Sequence, residues 1–177
     1  YNVTTLPKRQ GSFCFIGIYD KGAGSACFFM EMKKMKTGFI GAGNMGSSIV
    51  SGMIKSGNFK KEDIFVCDKI ISDDIKSLGV SAVSIDYIVK NCQSIVLAVK
   101  PNTMEAVLEE IKKTEGYEKK LFISIAAGFK LERIEKVLGS IRAVRVMPNI
   151  CLKALEGMTV VASNKNCTED DTARSEE

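Results

Sequence analysis

The sequence predicts an α/β fold: a doubly wound, mostly parallel sheet with helices on both faces. Three observations predict it. From residue 36 onward, short apolar runs alternate with amphipathic segments. One of these runs, Ser94-Ile95-Val96-Leu97-Ala98-Val99, is continuous, as expected for a parallel strand buried on both faces. A glycine-rich turn, Gly41-Ala42-Gly43-Asn44-Met45-Gly46, joins a strand-like segment to a helix-like one.

Each element follows from its local pattern. Thr37–Ile40 reads as a strand. Asn44–Ser56 reads as a helix burying Met45, Ile49, Val50, Met53 and Ile54, with Gly57 as its C-terminal stop. Ile64–Cys67 is the next strand, Asp73–Leu78 a short helix, Val80–Val83 a strand, and a helical turn starts at Asp86. Ser94–Val99 follows, stopped by Pro101. Thr103–Lys113 is a helix, Leu121–Ile125 a strand, Leu131–Leu138 a helix, and Ala143–Val146 and Met158–Ala162 the last two strands.

The 177 residues suit one domain and the fringe of a second. A content of 45% hydrophobic and 26% charged residues is that of a globular chain with a core. No apolar run approaches the ~18 residues of a membrane helix. Histidine is absent, which excludes Ser-His-Asp and Cys-His nucleophile pairs, HExxH zinc sites and any His acid in a dehydrogenase. The net charge of +4 resides in residues 1–36, which hold six Lys/Arg against two Asp/Glu; residues 37–177 hold nineteen of each. A folded body without net charge argues against nucleic-acid binding. The six cysteines form no CxxC pair and no metal-ligand spacing, so no metal is expected, and they read as reduced thiols of a cytosolic protein.

Residues 1–34 are expected to be a tag-like or non-native extension. Their apolar run, Ser12–Tyr19, is preceded by Lys8-Arg9 and followed by Ala26-Cys27 in the manner of a secretory signal, but Asp20-Lys21 cut it short. Met30, Met32 and Met35 are candidate starts. Residues 35–163 are expected to form the folded domain, and the acidic stretch 164–177 the start of something further.

The glycine turn spells G-x-G-x-x-G. The first Gly permits a tight turn, the second lets a pyrophosphate approach the backbone, and the third lets helix pack on strand. Free N–H groups at the helix start then hold phosphates. Asp68 stands twenty-two residues beyond Gly46, at the end of the second strand of this domain. An acid in that place takes the ribose 2′-OH of NAD, whereas Lys69 beside it suits the 2′-phosphate of NADP, so the cofactor stays NAD or NADP. Three more segments fall at strand ends: Ala98-Val99-Lys100-Pro101, Ser124-Ile125-Ala126-Ala127-Gly128 and Met147-Pro148-Asn149. Small residues and Pro at such ends let a flat ring lie against backbone.

Residues 35–163 resemble the Rossmann-type dinucleotide-binding domain of pyrroline-5-carboxylate reductase. The resemblance rests on FIGAGNMG (39–46), LAVKP (97–101), SIAAG (124–128), RVMPN (145–149) and EGMT (156–159). It implies a cytosolic enzyme that reduces 1-pyrroline-5-carboxylate to L-proline, the last step of proline biosynthesis, with NADPH or NADH. It also implies a second, all-helical domain that forms a homo-oligomer and holds the substrate; 164–177 would be the truncated start of that dimerisation domain, leaving this chain inactive. By position, the cofactor's phosphates would lie on Ile40, Gly41, Ala42, Gly43, Asn44 and Met45, with Gly46 closing the motif. Its ribose and nicotinamide would lie along Ala98, Val99, Lys100 and Pro101 and along Ile125, Ala126 and Ala127, with Asn149 nearby. No catalytic side chain is assigned.

The sequence departs from the family at three places. Ile150-Cys151 replaces the common Thr-Pro, Ser84-Ile85-Asp86 replaces a cofactor-facing Asn, and Asp68-Lys69 replaces an Arg or Ser, which tilts the choice toward NADH. Two alternatives stay open: a relative of the β-hydroxyacid dehydrogenases, and a cofactor-binding module without catalysis.

Overall fold

The computed structural model describes residues 2–5, 16–19, 35–57, 59–148 and 159–168. The remainder of 1–34, with Cys14 and Cys27, lies outside the described residues, as do 149–158 and 169–177. Asn2–Thr5 (β1) and Ile16–Tyr19 (β2) pair antiparallel as a two-stranded sheet.

The main sheet has seven strands: β3 (Thr37–Ile40), β4 (Ile64–Cys67), β5 (Ser81–Ala82), β6 (Ser94–Leu97), β7 (Leu121–Ser124), β8 (Arg142–Pro148) and β9 (Thr159–Ser163). Their order is β5-β4-β3-β6-β7-β8-β9. All pairs are parallel except β8–β9, which is antiparallel. The chain winds outward from β3 to β5 and then returns to the other side of β3 at β6. The switch point of this doubly wound sheet therefore lies between β3 and β6.

Among the described residues five α-helices cover the sheet: α1 (Asn44–Lys55), α2 (Asp73–Ser77), α3 (Ile85–Asn91), α4 (Pro101–Lys112) and α5 (Leu131–Leu138). Strand alternation divides the core in two. Phe39, Ile64, Val66 and Val96 meet Val50 of α1 and Ile75 of α2 on one face. Ile40, Phe65, Ile95, Leu97 and Phe122 meet α3, α4 and α5 through Ile88, Met104, Leu108, Ile111 and Ile134 on the other. The period-2 pattern of each strand thus decides which helix it holds.

Several boundaries differ from the sequence reading, for local reasons. Pro101 does not merely end the strand. It is the first residue of α4, two residues before the expected start, where its missing N–H costs nothing. The strand itself stops at Leu97 rather than Val99. Helix α3 begins at Ile85 because the Ser84 side chain accepts a hydrogen bond from the Tyr87 N–H at 3.2 Å. Strand β8 runs from Arg142 to Pro148, beyond the expected Ala143–Val146, because β9 pairs with it in register up to Pro148–Thr159. Beyond residue 163, Asn164 still belongs to this packing: its side-chain amide donates to Glu135 Oε1 and to the Ile141 carbonyl, and its Oδ1 accepts from the Ala143 N–H.

Cys92 follows α3 and is wholly buried. Burial pushes its thiol up from 9.0 to about 11, partly offset by the charges of Lys120 and Lys36. The folded protein then holds a proton between pH 9 and 11 that the unfolded chain releases. Its stabilising contribution is complete below pH 9 and is lost as the pH rises toward 11, by an amount on the order of 2 kcal/mol. Urea unfolding at pH 8, 9, 10 and 11 should show this loss as a difference between wild type and Cys92→Ala; parallel pH profiles would refute it.

Candidate dinucleotide site

The carboxyl ends of β3, β4, β6 and β7 open on one edge of the sheet. Gly41 leaves β3 with φ of 102°, a left-handed conformation that favours glycine. A methyl group on Gly41 would also stand 2.6 Å from the Ala98 carbonyl carbon. On Gly46, in the first turn of α1, it would stand 2.5 Å from the Gly41 carbonyl oxygen. The absence of both side chains lets α1 start directly above the β3–β6 junction. On Gly43 a methyl would meet nothing within 4 Å, and its φ of −65° is open to any residue. The motif therefore divides as its spacing implies: turn, open cradle, helix packing.

The loop's backbone donors divide as well. The Gly41 N–H donates to the Cys67 carbonyl at 2.8 Å, and the Ala42 N–H to Asp68 Oδ2 at 2.5 Å. Of the residues expected beneath phosphates, Ile40 lies within strand β3, and Gly41 and Ala42 have their N–H groups engaged inside the protein. Gly43 and the first turn of α1 (Asn44, Met45 and Gly46) carry the N–H groups that precede the helical ladder, whose first bond is from the Ser47 N–H to the Gly43 carbonyl at 2.9 Å.

Electrostatics single out the same edge. Helices α2, α3 and α5 carry Asp73 and Asp74, Asp86, and Glu132 in their first turns, which offset the positive end of the dipole. Helices α1 and α4 carry no acid there. These two follow β3 and β6, the strands that flank the switch point. Their first turns carry no acid of their own, which leaves room for an anion, although at α1 the Asp68 carboxylate reaches the Ala42 N–H just ahead of the helix.

The remaining expected residues assemble around this centre. Ala98 continues β6 beside β3, its N–H donating to the Ile40 carbonyl at 2.8 Å. Ile125 does the same beside β6, donating to the Leu97 carbonyl at 3.2 Å. Ala98 and Val99 are half-buried, Lys100 and Pro101 exposed, Ile125 half-buried, Ala126 buried and Ala127 exposed. Asp68 and Lys69 are exposed at the end of β4, and Lys69 has no ion-pair partner among the described residues. Asn149 lies outside the described residues, as do Ile150 and Cys151.

Two features of the edge escaped the sequence reading. One is the bond between Asp68 and Ala42. The parallel pairing of Ile40 with Cys67 sets the next residues of the two strands side by side, so correct register alone would have pointed to it. The other is Ile70, 81% exposed two residues after Asp68. Cys67 offers no nucleophile here: burial first, then the carboxylates of Glu110 and Asp68, push its thiol up, so it stays protonated at neutral pH. No cluster of metal ligands exists among the described residues, and no helix among them is long and apolar enough to cross a membrane.

Comparison with known proteins supplies the rest. Residues 36–128 match the sequence model of a family described as NADP oxidoreductase, coenzyme F420-dependent. The chain is 42% identical to a pyrroline-5-carboxylate reductase of Methanosarcina acetivorans over 146 residues, covering 79% of this chain and 53% of that protein. To the Escherichia coli protein of the same name it is 38% identical over 144 residues, covering 78% and 53%. Its fold superposes on Plasmodium falciparum pyrroline carboxylate reductase, a crystal structure with NADP bound, with a TM-score of 0.73 at 33% identity, covering 81% of this chain and 53% of that one. The chain spans about half the length of the curated relatives it matches.

The glycines predict opposite outcomes. Gly43→Val should leave the circular dichroism spectrum and melting temperature close to wild type while abolishing measurable binding of NADH by fluorescence titration. Gly46→Ala should instead destabilise the domain by about 1–3 kcal/mol in urea, the cost of overpacking a close backbone contact. Unchanged NADH affinity in folded Gly43→Val would refute the cradle.

Proposed function

The chain belongs to the NADP oxidoreductase, coenzyme F420-dependent, family, and we propose that it is the dinucleotide-binding half of a pyrroline-5-carboxylate reductase. The reaction is reduction of the cyclic imine 1-pyrroline-5-carboxylate to L-proline with NADH or NADPH. The observation that carries this reading is the open Gly43 cradle above the unacidified N-terminus of α1, at the switch point of the sheet.

The bound nicotinamide supplies the hydride. What this chain's residues do is hold and orient. The N–H groups of Gly43, Asn44, Met45 and Gly46 take the pyrophosphate, aided by the α1 dipole. Asp68 accepts the hydroxyls of the adenosine ribose, for each carboxylate oxygen keeps a lone pair beyond its backbone bond. Ile70 gives the adenine an apolar surface. Ala98 to Pro101 and Ile125 to Ala127 border the nicotinamide, and Asn149 belongs to the same group by its place in the motif. A protonated imine is already electrophilic, so the carbon that receives hydride needs no acid from this chain. Positioning in a dry cleft is then the main catalytic contribution. That agrees with a sequence without histidine and with a protonated Cys67.

Every recognisable motif serves the dinucleotide, and none offers a pocket for a cyclic amino-acid carboxylate. A Rossmann-type sheet supplies one wall of an active site and leaves the other to further structure. In the whole protein that wall is a helical domain that also makes a homo-oligomer, with neither nucleic acid nor membrane as partner. The reduced thiols of Cys67 and Cys92 suit a cytosolic setting.

Two experiments test the reading. The 177-residue polypeptide should bind NADH yet fail to oxidise it with pyrroline-5-carboxylate, whereas the same chain extended by a relative's helical half should turn over. Comparable turnover by both would show that the catalytic apparatus lies within this chain. Second, Asp68→Ala should weaken NADH more than NADPH, because the acid both bonds the ribose diol and repels a 2′-phosphate. The gap between the two losses should be about 1–3 kcal/mol, the scale of a hydrogen bond to a charged group. Preferential loss of NADPH would put Lys69 in control of the pocket.

A further inference from the structure

We propose that Asp68 is a positioning residue that clamps the phosphate-binding loop in its working conformation before any cofactor arrives, a role separate from contact with the ribose. The proposal rests on the dinucleotide reading for its purpose and on hydrogen bonds for its substance. The two successive donors that follow β3 are both tied to the end of β4: the Gly41 N–H to the Cys67 carbonyl at 2.8 Å, the Ala42 N–H to Asp68 Oδ2 at 2.5 Å. The first is an ordinary extension of the β3–β4 ladder. The second replaces a backbone acceptor by a side chain, and that side chain is charged, which makes the bond short and strong.

The carboxylate is itself held. Its other oxygen, Oδ1, accepts from the Ile70 N–H at 3.3 Å, so the turn after β4 fixes the direction in which Oδ2 points. Ala42 is buried, and its N–H has no other acceptor among the described residues. Without Asp68 that donor would stand unsatisfied in a nearly dry place, and the loop would gain by turning it toward water or toward a phosphate. Either turn would displace Gly43, the next residue, whose open side is the cradle. The clamp thus directs the Ala42 N–H away from the phosphates and leaves them to Gly43 and the first turn of α1.

A residue that only bonds the ribose and a residue that sets the loop predict different behaviour toward one probe, the NADH analogue lacking the 2′- and 3′-hydroxyls of its adenosine ribose. With those hydroxyls gone, a ribose contact has nothing to lose. We expect Asp68→Ala to bind this analogue about tenfold more weakly than wild type, the loss of one charge-assisted bond through the loop. Asp68→Asn, which keeps an oxygen facing Ala42, should restore most of that affinity. Equal affinity of wild type and Asp68→Ala for the analogue would overturn the proposal.

Amide hydrogen exchange on the unliganded 177-residue chain reads the clamp without any cofactor. The Ala42 amide should be protected in wild type and in Asp68→Asn, and should exchange at least about tenfold faster in Asp68→Ala, with the amides of β7 unchanged as a check on the fold. Identical Ala42 exchange in wild type and Asp68→Ala would overturn the proposal as well. Should wild type bind no dinucleotide at all, the cofactor reading falls, while the exchange comparison still decides whether Asp68 holds the loop.

Discussion

The structure turns on one close approach: the first turn of α1 against the backbone that leaves β3. The Gly41 carbonyl and the Gly46 α-carbon lie so near that one methyl group on Gly46 would stand 2.5 Å from the oxygen. The same turn passes as close to β6, where a methyl on Gly41 would strike the Ala98 carbonyl carbon at 2.6 Å. Helix α1 therefore begins at the sheet edge rather than a side chain's width away from it. Its N–H groups that precede the helical ladder gather over the junction of β3 and β6, and among the described residues no other helix start combines that position with a bare backbone.

Such an approach has to be held from elsewhere, because a loop of small residues has little to pack. Val50, with Ile49, Met53 and Ile54 beside it, anchors α1 to Phe39, Val66 and Val96 one to three turns down the helix. The opposite core anchors the strands: Ile40 and Leu97, which end β3 and β6, are buried under α3 and α4. The burial of these side chains, each contributing about 1.5–3 kcal/mol, sets where the loop's ends stand. The loop then needs only local hydrogen bonds to choose its path between them. Asp68 supplies one of those bonds from a third strand, so the geometry at Gly43 records the register of β4 as well as that of β3 and β6.

The fold was legible because its signals are of the kind that periodicity reports. Buried strands such as Ser94–Leu97 show as apolar runs, and α4 shows as Met104, Leu108 and Ile111 on one face. The packing roles of Gly41 and Gly46 were legible because each answers a close backbone approach, whereas the space at Gly43 is open. Boundaries were less so. Pro101 begins a helix or ends a strand with equal ease, and only the chain's path chooses. Ser84 stands where the resemblance has a cofactor-facing Asn, and in the structure its hydroxyl oxygen serves the backbone of α3 as a cap. The Asp68–Ala42 bond spans twenty-six positions in sequence and depends on the register of two strands, so no local pattern announces it.

On the proposed reading, the same bond bears on how an acidic residue at this place would govern cofactor choice. An exposed carboxylate free to swing would discriminate weakly, since it would retreat from a 2′-phosphate at little cost. Asp68 is not free in that sense: one oxygen is committed to Ala42 and the other to Ile70. Retreat would break a charge-assisted bond and loosen the loop proposed to hold the pyrophosphate. The repulsion felt by a 2′-phosphate is therefore coupled to the pyrophosphate site, and adapting the pocket to NADPH by changing Asp68 alone would relieve the repulsion while weakening the cradle. A substitution that keeps an acceptor for the Ala42 N–H but carries no charge separates the two effects. Lys69, exposed alongside, is placed to add attraction once that negative charge is gone. On the proposed reading, cofactor preference is thus a property of the ends of β3 and β4 as a unit, set by backbone register as much as by the side chain proposed to face the ribose.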